Sequence, residues 1–254
     1  MLHIFARPED LVGEELVVTG EEVNHMKNVL RLRPGEEVSV SDGEKDLDYR
    51  YEVVSYREDA VILHRTKILP GDTELPVRPY LFQGLPKGEK MELIVQKAVE
   101  LGVYEIIPVS MHRCVMKLDE KRAAKKVERW QKIAEAAAMQ SRRRVIPKVT
   151  MPMTMQEAMD YAKEHAAVRV LPYENQQERG GTKALFETLQ EPDPSGTPKG
   201  IAIFIGPEGG FEEDEVTKAR ESGILPISLG RRILRTETAG LCVLSWLSYL
   251  LEIS

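Results

Sequence analysis

The sequence lacks the motifs by which several common classes of protein are recognised. Its two cysteines, Cys114 and Cys242, form no CxxC pair and are too few for a disulfide framework. The five histidines share no metal-ligand spacing, so no metal site is expected. There is no GxGxxG, GxxxxGK[ST] or GxSxG motif, which leaves a Rossmann dinucleotide site, a P-loop and a serine hydrolase without support.

Long apolar segments are also absent. The first ten residues contain no cationic segment that leads into an apolar core, so no signal peptide is expected. The most apolar stretch, residues 241–250, is too short and too rich in Ser, Trp and Tyr to span a bilayer. Hydrophobic residues make up 42% and charged residues 30% of the chain, a composition typical of globular proteins. We therefore expect a cytoplasmic protein with no membrane partner.

The charge distribution is uneven. A net charge of -6 argues at first against a nucleic-acid partner. Residues 113–148, however, contain twelve Lys or Arg against four Asp or Glu, a net +8, so the rest of the chain carries -14. Such a basic segment is either a solvated helix face or a footprint for phosphates.

The first seventy residues are β-rich and are predicted to form a separate small domain. Alternating or β-branched runs predict strands at 2–6, 15–19, 37–41, 49–56 and 60–66, and an amphipathic pattern predicts a helix over 21–30. Short strands around one small helix suggest a small barrel. Residues 69–76, LPGDTELP, have the composition of a linker.

From Val77 onwards, strand-like runs alternate with helical patterns. The runs lie at 80–83, 106–109, 168–171, 201–205 and 227–229, and the helical patterns at 89–101, 122–141, 155–165, 182–189, 212–222 and 237–251. This alternation is typical of βαβ units around a parallel sheet. We predict a domain over 1–70, a linker over 71–76 and an α/β domain over 77–254. Ligands of such sheets bind beyond the carboxyl ends of the strands, here the loops after Leu171, Ile205 and Leu229.

The loop IGPEGG at 205–210 is the most informative of these. Three glycines around a proline require positive φ values or close backbone approach, although a tight strand-to-helix turn would require the same. The four carboxylates at 212–215 stabilise the start of the next helix and leave it unsuited to a phosphate. A ligand without phosphate is therefore expected, and S-adenosylmethionine fits this description.

A second loop, LGRRILRTETAG at 229–240, has two interpretations. It is either a capped helix start with solvated arginines, or a loop in which the apolar Ile233 and Leu234 enclose a flat aromatic group such as adenine. The residues alone favour neither.

Three segments together resemble the ribosomal RNA small subunit methyltransferase E family of the SPOUT class. They are LPKGEKMELIVQKAVELGV at 85–103, IGPEGGF at 205–211 and LGRRILRTETA at 229–239. In addition, VLRLRPG at 29–35 is similar to the small PUA-like domain of that family, so the resemblance extends over nearly the whole chain.

The resemblance implies a fold and a function. It implies an α/β fold whose C-terminal parallel-sheet domain contains a deep trefoil knot, preceded by a small PUA-like β-barrel domain that binds RNA. It also implies a homodimer that transfers a methyl group from S-adenosylmethionine to N3 of a uridine in 16S rRNA, acting on the small ribosomal subunit.

Site residues follow from the resemblance and from the positions of the loops. The predicted cofactor-binding residues are Leu171, Ile205, Gly206, Pro207, Glu208, Gly209, Gly210, Leu229, Gly230, Arg232, Ile233, Leu234, Thr236 and Thr238. Arg235 and Glu237 are the catalytic candidates; Arg235 either stabilises charge on the uracil carbonyl oxygens or only orders the loop. The predicted RNA-binding residues are Arg7, Arg31, Arg33, Lys87, Arg113, Arg142, Arg143 and Arg144.

Two other functions stay open from the sequence. The chain could methylate a different rRNA or tRNA uridine or a ribose 2′-hydroxyl, or it could be a non-catalytic RNA-binding factor in ribosome assembly. Three departures from the family pattern are also visible. Residues 139–143 read MQSRR where EQSGR is common, Cys114 stands where serine is usual, and Val99 replaces a common threonine.

Overall fold

The computed structural model of the chain describes residues 1–173, 180–191 and 196–253. It divides into two compact units. The first contains Met1–Glu74 together with Ala138–Ile146, and the second contains Leu75–Ala137 and the described residues from Pro147 onwards. The sequence patterns give no indication that residues 138–146 belong to the first unit.

The first unit is built on one five-stranded sheet, and the predicted strands of this region are confirmed. Its strands are β1 (Leu2–Phe5), β2 (Glu15–Thr19), β3 (Glu37–Ser41), β4 (Leu47–Tyr56) and β5 (Ala60–Pro70). Their order is β1-β3-β4-β5-β2, with β1 parallel to β3 and the other pairs antiparallel. The helix α1 (Glu21–Asn24) continues as a π-helical turn over His25–Val29.

Alternation along the strands of this sheet places apolar side chains in one core. Val38 and Val40 on β3, Tyr51 on β4 and Leu63 on β5 are fully buried, and Met26 packs into the same cluster. Successive side chains of a strand point to opposite faces, so this two-residue period directs one face of the sheet inward.

The second unit contains a parallel sheet, which confirms the predicted α/β architecture. Its strands are β6 (Arg78–Gly84), β7 (Glu105–Ser110), β8 (Lys148–Val149), β9 (Met153–Thr154), β10 (Val168–Pro172), β11 (Gly200–Ile205) and β12 (Leu225–Ile227). Their order is β12-β10-β11-β6-β7-β8, and β9 also pairs with β7. The helices are α2 (Lys90–Glu100), α3 (Glu120–Gln140), α4 (Met155–His165), α5 (Gly180–Glu187), α6 (Glu213–Glu221) and α7 (Thr236–Ser248).

Helices cover both faces of this sheet, which explains why its central strands read as continuous apolar runs. On β6, Tyr80 and Phe82 contact Tyr161 of α4. Leu81 points to the other face, where it lies against Gly240 of α7. Every residue of β11 is buried between these layers. None of the helices in the described ranges is long and apolar enough to cross a membrane.

Candidate functional site

A cavity of about 610 Å³ lies in the second unit, beyond the carboxyl ends of β10, β11 and β12. Pockets for small ligands commonly enclose roughly 300–1,000 Å³ and occur at this edge of parallel sheets. The wall consists of Pro172, Tyr173, residues 205–211 and residues 228–237, with Lys90, Arg113, Glu213 and Ala239. The cavity therefore lies where the sequence predicts a cofactor.

The glycines of the loop 205–210, which we call the glycine loop, are required by its geometry. Gly210 has a φ of 70°, and a Cβ added to Gly206 would lie 3.1 Å from the carbonyl carbon of Gly210. At the end of β6, a Cβ on Gly84 would lie 2.7 Å from the nitrogen of Pro207. These contacts confirm the prediction of positive φ and close backbone approach.

A lysine ties this loop to two helices. Nζ of Lys90, at the start of α2, donates a hydrogen bond of 2.8 Å to Glu208 and lies 3.5 Å from Oε2 of Glu237 in α7. The backbone amide of Lys87 also donates to Glu208. Burial alone would raise the pKa of Glu208, but these donors outweigh it and the pKa is lowered. The bond to Glu208 raises the pKa of Lys90. Both groups are therefore charged at neutral pH.

An arginine holds the other end of the same loop. Nε and Nη2 of Arg113 donate to the two carboxylate oxygens of Glu212 at 2.8 and 3.0 Å, and Nη1 donates to the carbonyl of Gly209. The hydrogen bond from Arg113 lowers the pKa of Glu212. The backbone amide of His112 donates to Glu215. The loop after β7 thus binds two of the four carboxylates at the start of α6.

A third contact joins α7 to the middle of the sheet. The Thr236 hydroxyl donates to the carbonyl of Gly206 at 2.7 Å and accepts a bond from Nε2 of Gln83 at 2.9 Å. Both side chains are buried. Hydrogen bonds in such a buried chain are costly to break because each lost partner leaves a desolvated polar group. Thr236 therefore fixes the start of α7 against the loop 205–210.

The loop Gly230–Arg235, which we call the arginine loop, carries side chains of a different kind. Arg231, Arg232 and Arg235 are exposed, and within the described part of the chain none has a carboxylate within 4.0 Å. Ile233 is 82% exposed. Gly230 has a φ of 104°, which explains why a glycine begins the loop.

The residues present fit S-adenosylmethionine. The wall combines apolar side chains, such as Pro207, Phe211 and Leu234, with the backbone amides and carbonyls of two glycine-containing loops. Such a mixture suits a nucleoside with an attached zwitterion. The nearby helix start at α6 is occupied by its own carboxylates through a capping box of Glu212 and Glu215, which disfavours a phosphate.

The structure brings together most of the residues predicted to bind the cofactor. All of them line the cavity except Leu171 and Thr238, and both catalytic candidates, Arg235 and Glu237, line it as well. Leu171 is fully buried within β10. The loop that begins near Leu171 continues into residues 174–179, which lie outside the described residues.

The predicted RNA-binding residues fall into two groups. Arg31, Arg33, Lys87 and Arg142 are exposed, as is Arg7, which forms ion pairs with Glu9 and Asp10. Arg113 is also exposed but is bonded to Glu212, as described above. Exposure leaves contact with RNA possible for this group.

Arg143 and Arg144 require a correction, because both are buried within the first unit. Arg143 forms an ion pair with Glu74. Arg144 donates to Ser39 at 2.8 Å and to Asp48 at 3.1 Å. Buried guanidinium groups with carboxylate partners are structural, since withdrawing one would leave an unpaired buried charge. We therefore assign both arginines to folding rather than to RNA contact.

Several residues of the cavity were not among the predicted ones. Lys90, Pro172, Tyr173, Phe211, Glu213, Ser228, Arg231 and Ala239 also line it. Pro172 is the last residue of β10, and Tyr173 and Ser228 directly follow β10 and β12, so the rule that placed the loops could have found them. Lys90 lies in a segment that reads only as an amphipathic helix. The sequence could not predict its role because its partners, Glu208 and Glu237, are more than a hundred residues away.

Comparison with known proteins gives a consistent result. A model described as RNA methyltransferase domain matches residues 73–248, and one described as RNA methyltransferase PUA domain matches residues 18–63. Ribosomal RNA small subunit methyltransferase E of Bacillus subtilis is 38% identical over 93% of this chain and 90% of its own length. The protein of that name from Mycobacterium bovis is 33% identical over 89% and 83%.

A solved structure is similar over the full length. It is that of a ribosomal RNA small subunit methyltransferase E from Neisseria gonorrhoeae bound to S-adenosyl methionine. It is 30% identical to this chain, with a TM-score of 0.80, and the match covers 99% of this chain and 98% of that one.

Proposed function

Because the chain belongs to the ribosomal RNA small subunit methyltransferase E family, we propose that it transfers a methyl group from S-adenosylmethionine to N3 of a uridine in 16S rRNA. The observation that carries the proposal is the cavity between the loops 205–211 and 228–237. This cavity disfavours a phosphate, and at its wall lie three exposed arginines that have no carboxylate partner among the described residues. A methyl donor and an RNA substrate require this combination.

The cofactor, when bound, supplies a methyl group already activated on a sulfonium. What remains for the protein is alignment of the uracil with that methyl group, which contributes roughly 7–11 kcal/mol in favourable systems. The contacts of Lys90 with Glu208 and of Arg113 with Glu212 hold the two ends of the glycine loop. The hydroxyl of Thr236 holds the carbonyl of Gly206 in the same loop. These residues keep the cavity in a fixed shape.

Uridine N3 carries a proton at neutral pH. The proton has to leave for N3 to accept a methyl group, and the resulting uracil anion has to be stabilised. We assign this role to Arg235, whose exposed guanidinium precedes α7 at the cavity wall and faces no carboxylate among the described residues. A fixed positive charge near the uracil carbonyl oxygens would stabilise the negative charge that develops there.

Glu237, the other catalytic candidate, has a neighbour that favours a different role. Its Oε2 lies 3.5 Å from Nζ of Lys90, and its side chain is 19% exposed. This ion pair joins the first turn of α7 to the start of α2. We propose that Glu237 positions Lys90 and the first turn of α7.

We assign RNA contact to the exposed arginines of the first unit, Arg7, Arg31, Arg33 and Arg142, and to the basic face of α3. Lys121 and Lys125, one turn apart on α3, are exposed and have no ion pair in the described part of the chain. The match of residues 18–63 to a PUA domain of RNA methyltransferases supports a role in RNA binding for the first unit.

The proposal includes a trefoil knot in the second unit. The strand β12 lies at the edge of the sheet, yet α7, which follows it, packs on the central strands β6 and β11. The chain between β12 and α7 thus passes the glycine loop, and Thr236 at the start of α7 donates a hydrogen bond to Gly206 of that loop. Stretching the unfolded chain from both ends tests the knot. A tightened knot shortens the final length, whereas the full length of an open chain would contradict it.

We further propose a cytoplasmic homodimer, since the substrate is a ribosomal subunit and since two large apolar side chains after α7 are exposed. Tyr249 is 63% and Ile253 74% exposed, and both follow the apolar C-terminal helix. Light scattering tests the dimer: the expected mass is twice 28.7 kDa, and a mass of 28.7 kDa would exclude it.

The experiment for the reaction compares substrates. The protein is incubated with methyl-labelled S-adenosylmethionine and, separately, with undermethylated small subunits, large subunits and tRNA. We expect label in the small subunit alone. Label in tRNA or in the large subunit would favour another methyltransferase of the same fold, and cofactor binding without transfer to any RNA would leave a non-catalytic factor.

A further inference from the structure

The arginine loop, Gly230–Arg235, exposes an aliphatic side chain at the mouth of the cavity. Ile233 is 82% exposed, a value that only Val12 equals among the described large hydrophobic residues. Burying an isoleucine is worth about 1.5–3 kcal/mol, so this side chain forgoes that stabilisation. A single exposed aliphatic residue is common on protein surfaces and needs no explanation by itself. Its position among the residues that line the cavity makes it informative.

The charges around Ile233 differ from those elsewhere at the cavity. Lys90 and Arg113 have carboxylate partners, Glu208 and Glu212, within 2.8 Å. Arg231 and Arg232, which directly precede Ile233, have none within 4.0 Å in the described ranges of the chain. Unpaired surface arginines next to each other attract the phosphates of a nucleic acid. The mouth therefore combines an aliphatic side chain with two guanidinium groups that no described carboxylate neutralises.

This combination matches what an enzyme that modifies a base must do. The N3 edge of a uracil is not accessible while the base is stacked and paired, so the nucleotide has to leave the stack at a cost of a few kcal/mol. Proteins that separate neighbouring bases insert an apolar side chain between them. A charged or strongly hydrated side chain would lose its water there, whereas isoleucine would gain burial.

We propose that Ile233 inserts into the gap that the target uridine leaves in the RNA, while Arg231 and Arg232 bind the flanking phosphates. The inference rests on the proposed function, because it names the part of the RNA that the mouth of the site contacts. In this arrangement Leu234 faces the cofactor, whereas the side chains of Arg231, Arg232 and Ile233 face the substrate.

The test compares Ile233→Ala with Val12→Ala. Val12 is equally exposed but lies in the first unit, so it controls for loss of an aliphatic surface group. For Ile233→Ala we expect the affinity for S-adenosylmethionine to stay within about twofold and kcat/KM for small subunits to fall at least about tenfold, as the loss of one well-placed apolar contact does. Val12→Ala should match the unaltered protein in both.

A second readout reports on the gap itself. Small subunits are reconstituted with 2-aminopurine beside the target uridine, and its fluorescence rises when a neighbouring base leaves the stack. We expect the rise with the unaltered protein and a smaller one with Ile233→Ala. A separate variant, Arg231→Gln, should lower the slope of log affinity against log salt by the amount that one phosphate contact contributes.

Three results with Ile233→Ala would overturn the inference. The first is methylation and fluorescence that do not change. The second is a parallel loss of cofactor affinity, which would place the side chain on the cofactor. The third is a change in mass by light scattering, which would place the side chain against a second copy of the chain. Failure of the proposed function is distinguishable from these, because the unaltered protein would then not methylate small subunits at all.

Discussion

At the scale of single residues, a substitution of Arg235 tests whether this side chain acts in catalysis or in cofactor binding. Replacing it with lysine keeps the charge but loses the planar guanidinium that can face two oxygens. We expect cofactor affinity to stay within about twofold while kcat falls by roughly 100-fold, as when one charge-stabilising donor is removed from an active site. Isothermal titration and single-turnover methylation measure the two quantities.

The matched control for this variant is Arg220→Lys on α6, an exposed arginine that does not line the cavity. It should leave both quantities unchanged. If Arg235→Lys instead lowers cofactor affinity as much as turnover, the side chain only orders the loop, and the catalytic assignment fails.

His3 makes the stability of the first unit depend on pH. Burial, and then the nearby Arg144 guanidinium, lowers its pKa from 6.5 to about 4. Between these values the unfolded chain binds a proton that the folded chain does not. The free energy of unfolding should therefore fall as the pH falls from about 6.5 to about 4, by up to roughly 3 kcal/mol.

Replacing His3 with glutamine should abolish this dependence, because glutamine does not titrate and keeps a donor for Ser41. Hydrogen exchange of β3 and β4, corrected for intrinsic rates, measures the local free energy of unfolding at about pH 7 and about pH 5. The exposed His25 provides the control in the same unit through His25→Gln. Equal pH dependence in the unaltered protein and His3→Gln would refute the assignment.

Individual residues also show how far the sequence could predict the site. The glycines at 206–210 were predictable because few other residues adopt their backbone geometry. The roles of Arg143 and Arg144 were not, because a run of charge does not reveal that Glu74 and Asp48 lie beside it in the fold. Arg142 has a φ of 61°, the left-handed region that favours glycine. This explains why the family pattern commonly has glycine at that position.

At the scale of elements, the glycine loop gives a direct test of the cofactor site. Gly210 has a φ of 70° and an added Cβ would meet nothing within 4 Å, so Gly210→Ala strains the backbone without a clash. The strain is about 1–2 kcal/mol and should shift the loop, weakening S-adenosylmethionine binding about tenfold or more.

Gly20→Ala is the control for this strain, since Gly20 has a φ of 79°, is equally open and lies in the first unit. Both variants should lower stability, as measured by hydrogen exchange of the unit that each changes. Only Gly210→Ala should weaken cofactor binding in isothermal titration. Equal effects of both variants on the cofactor would mean that the loop does not form the site.

The longer elements were predictable because their periodicity is local. Strands such as β3 and β11 and helices such as α4 follow directly from the spacing of apolar residues. The two-residue strands β8 and β9 were missed, since their only signal is pairing with β7, roughly forty residues earlier. The strand β12 ends at Ile227, two residues before the predicted end, because the chain turns there towards the arginine loop.

At the scale of the whole molecule, an acidic chain has to bind an anionic polymer. The net charge of -6 opposes this, so the basic segment over 113–148 must supply the attraction. Binding to small subunits should weaken steeply with salt, since each phosphate contact contributes roughly 0.7–0.9 to the slope of log affinity against log salt. Filter binding across a series of salt concentrations measures the slope.

Replacing both Lys121 and Lys125 by alanine should lower that slope by the amount that about two phosphate contacts contribute. Lys218→Ala, which removes an exposed lysine of α6, should not change it. A slope that stays the same in the double variant would show that the basic face of α3 is a solvated surface, and a flat salt response of the unaltered protein would remove the electrostatic basis for RNA binding altogether.

The central claim is methylation of uridine N3, and identification of the methylated nucleoside tests it most directly. After reaction with labelled S-adenosylmethionine, the 16S rRNA is digested to nucleosides and the label is located by chromatography and mass spectrometry. We expect the label in N3-methyluridine, from a single site of the small subunit. Label in a 2′-O-methyl nucleoside, or in a base other than uracil, would contradict the claim.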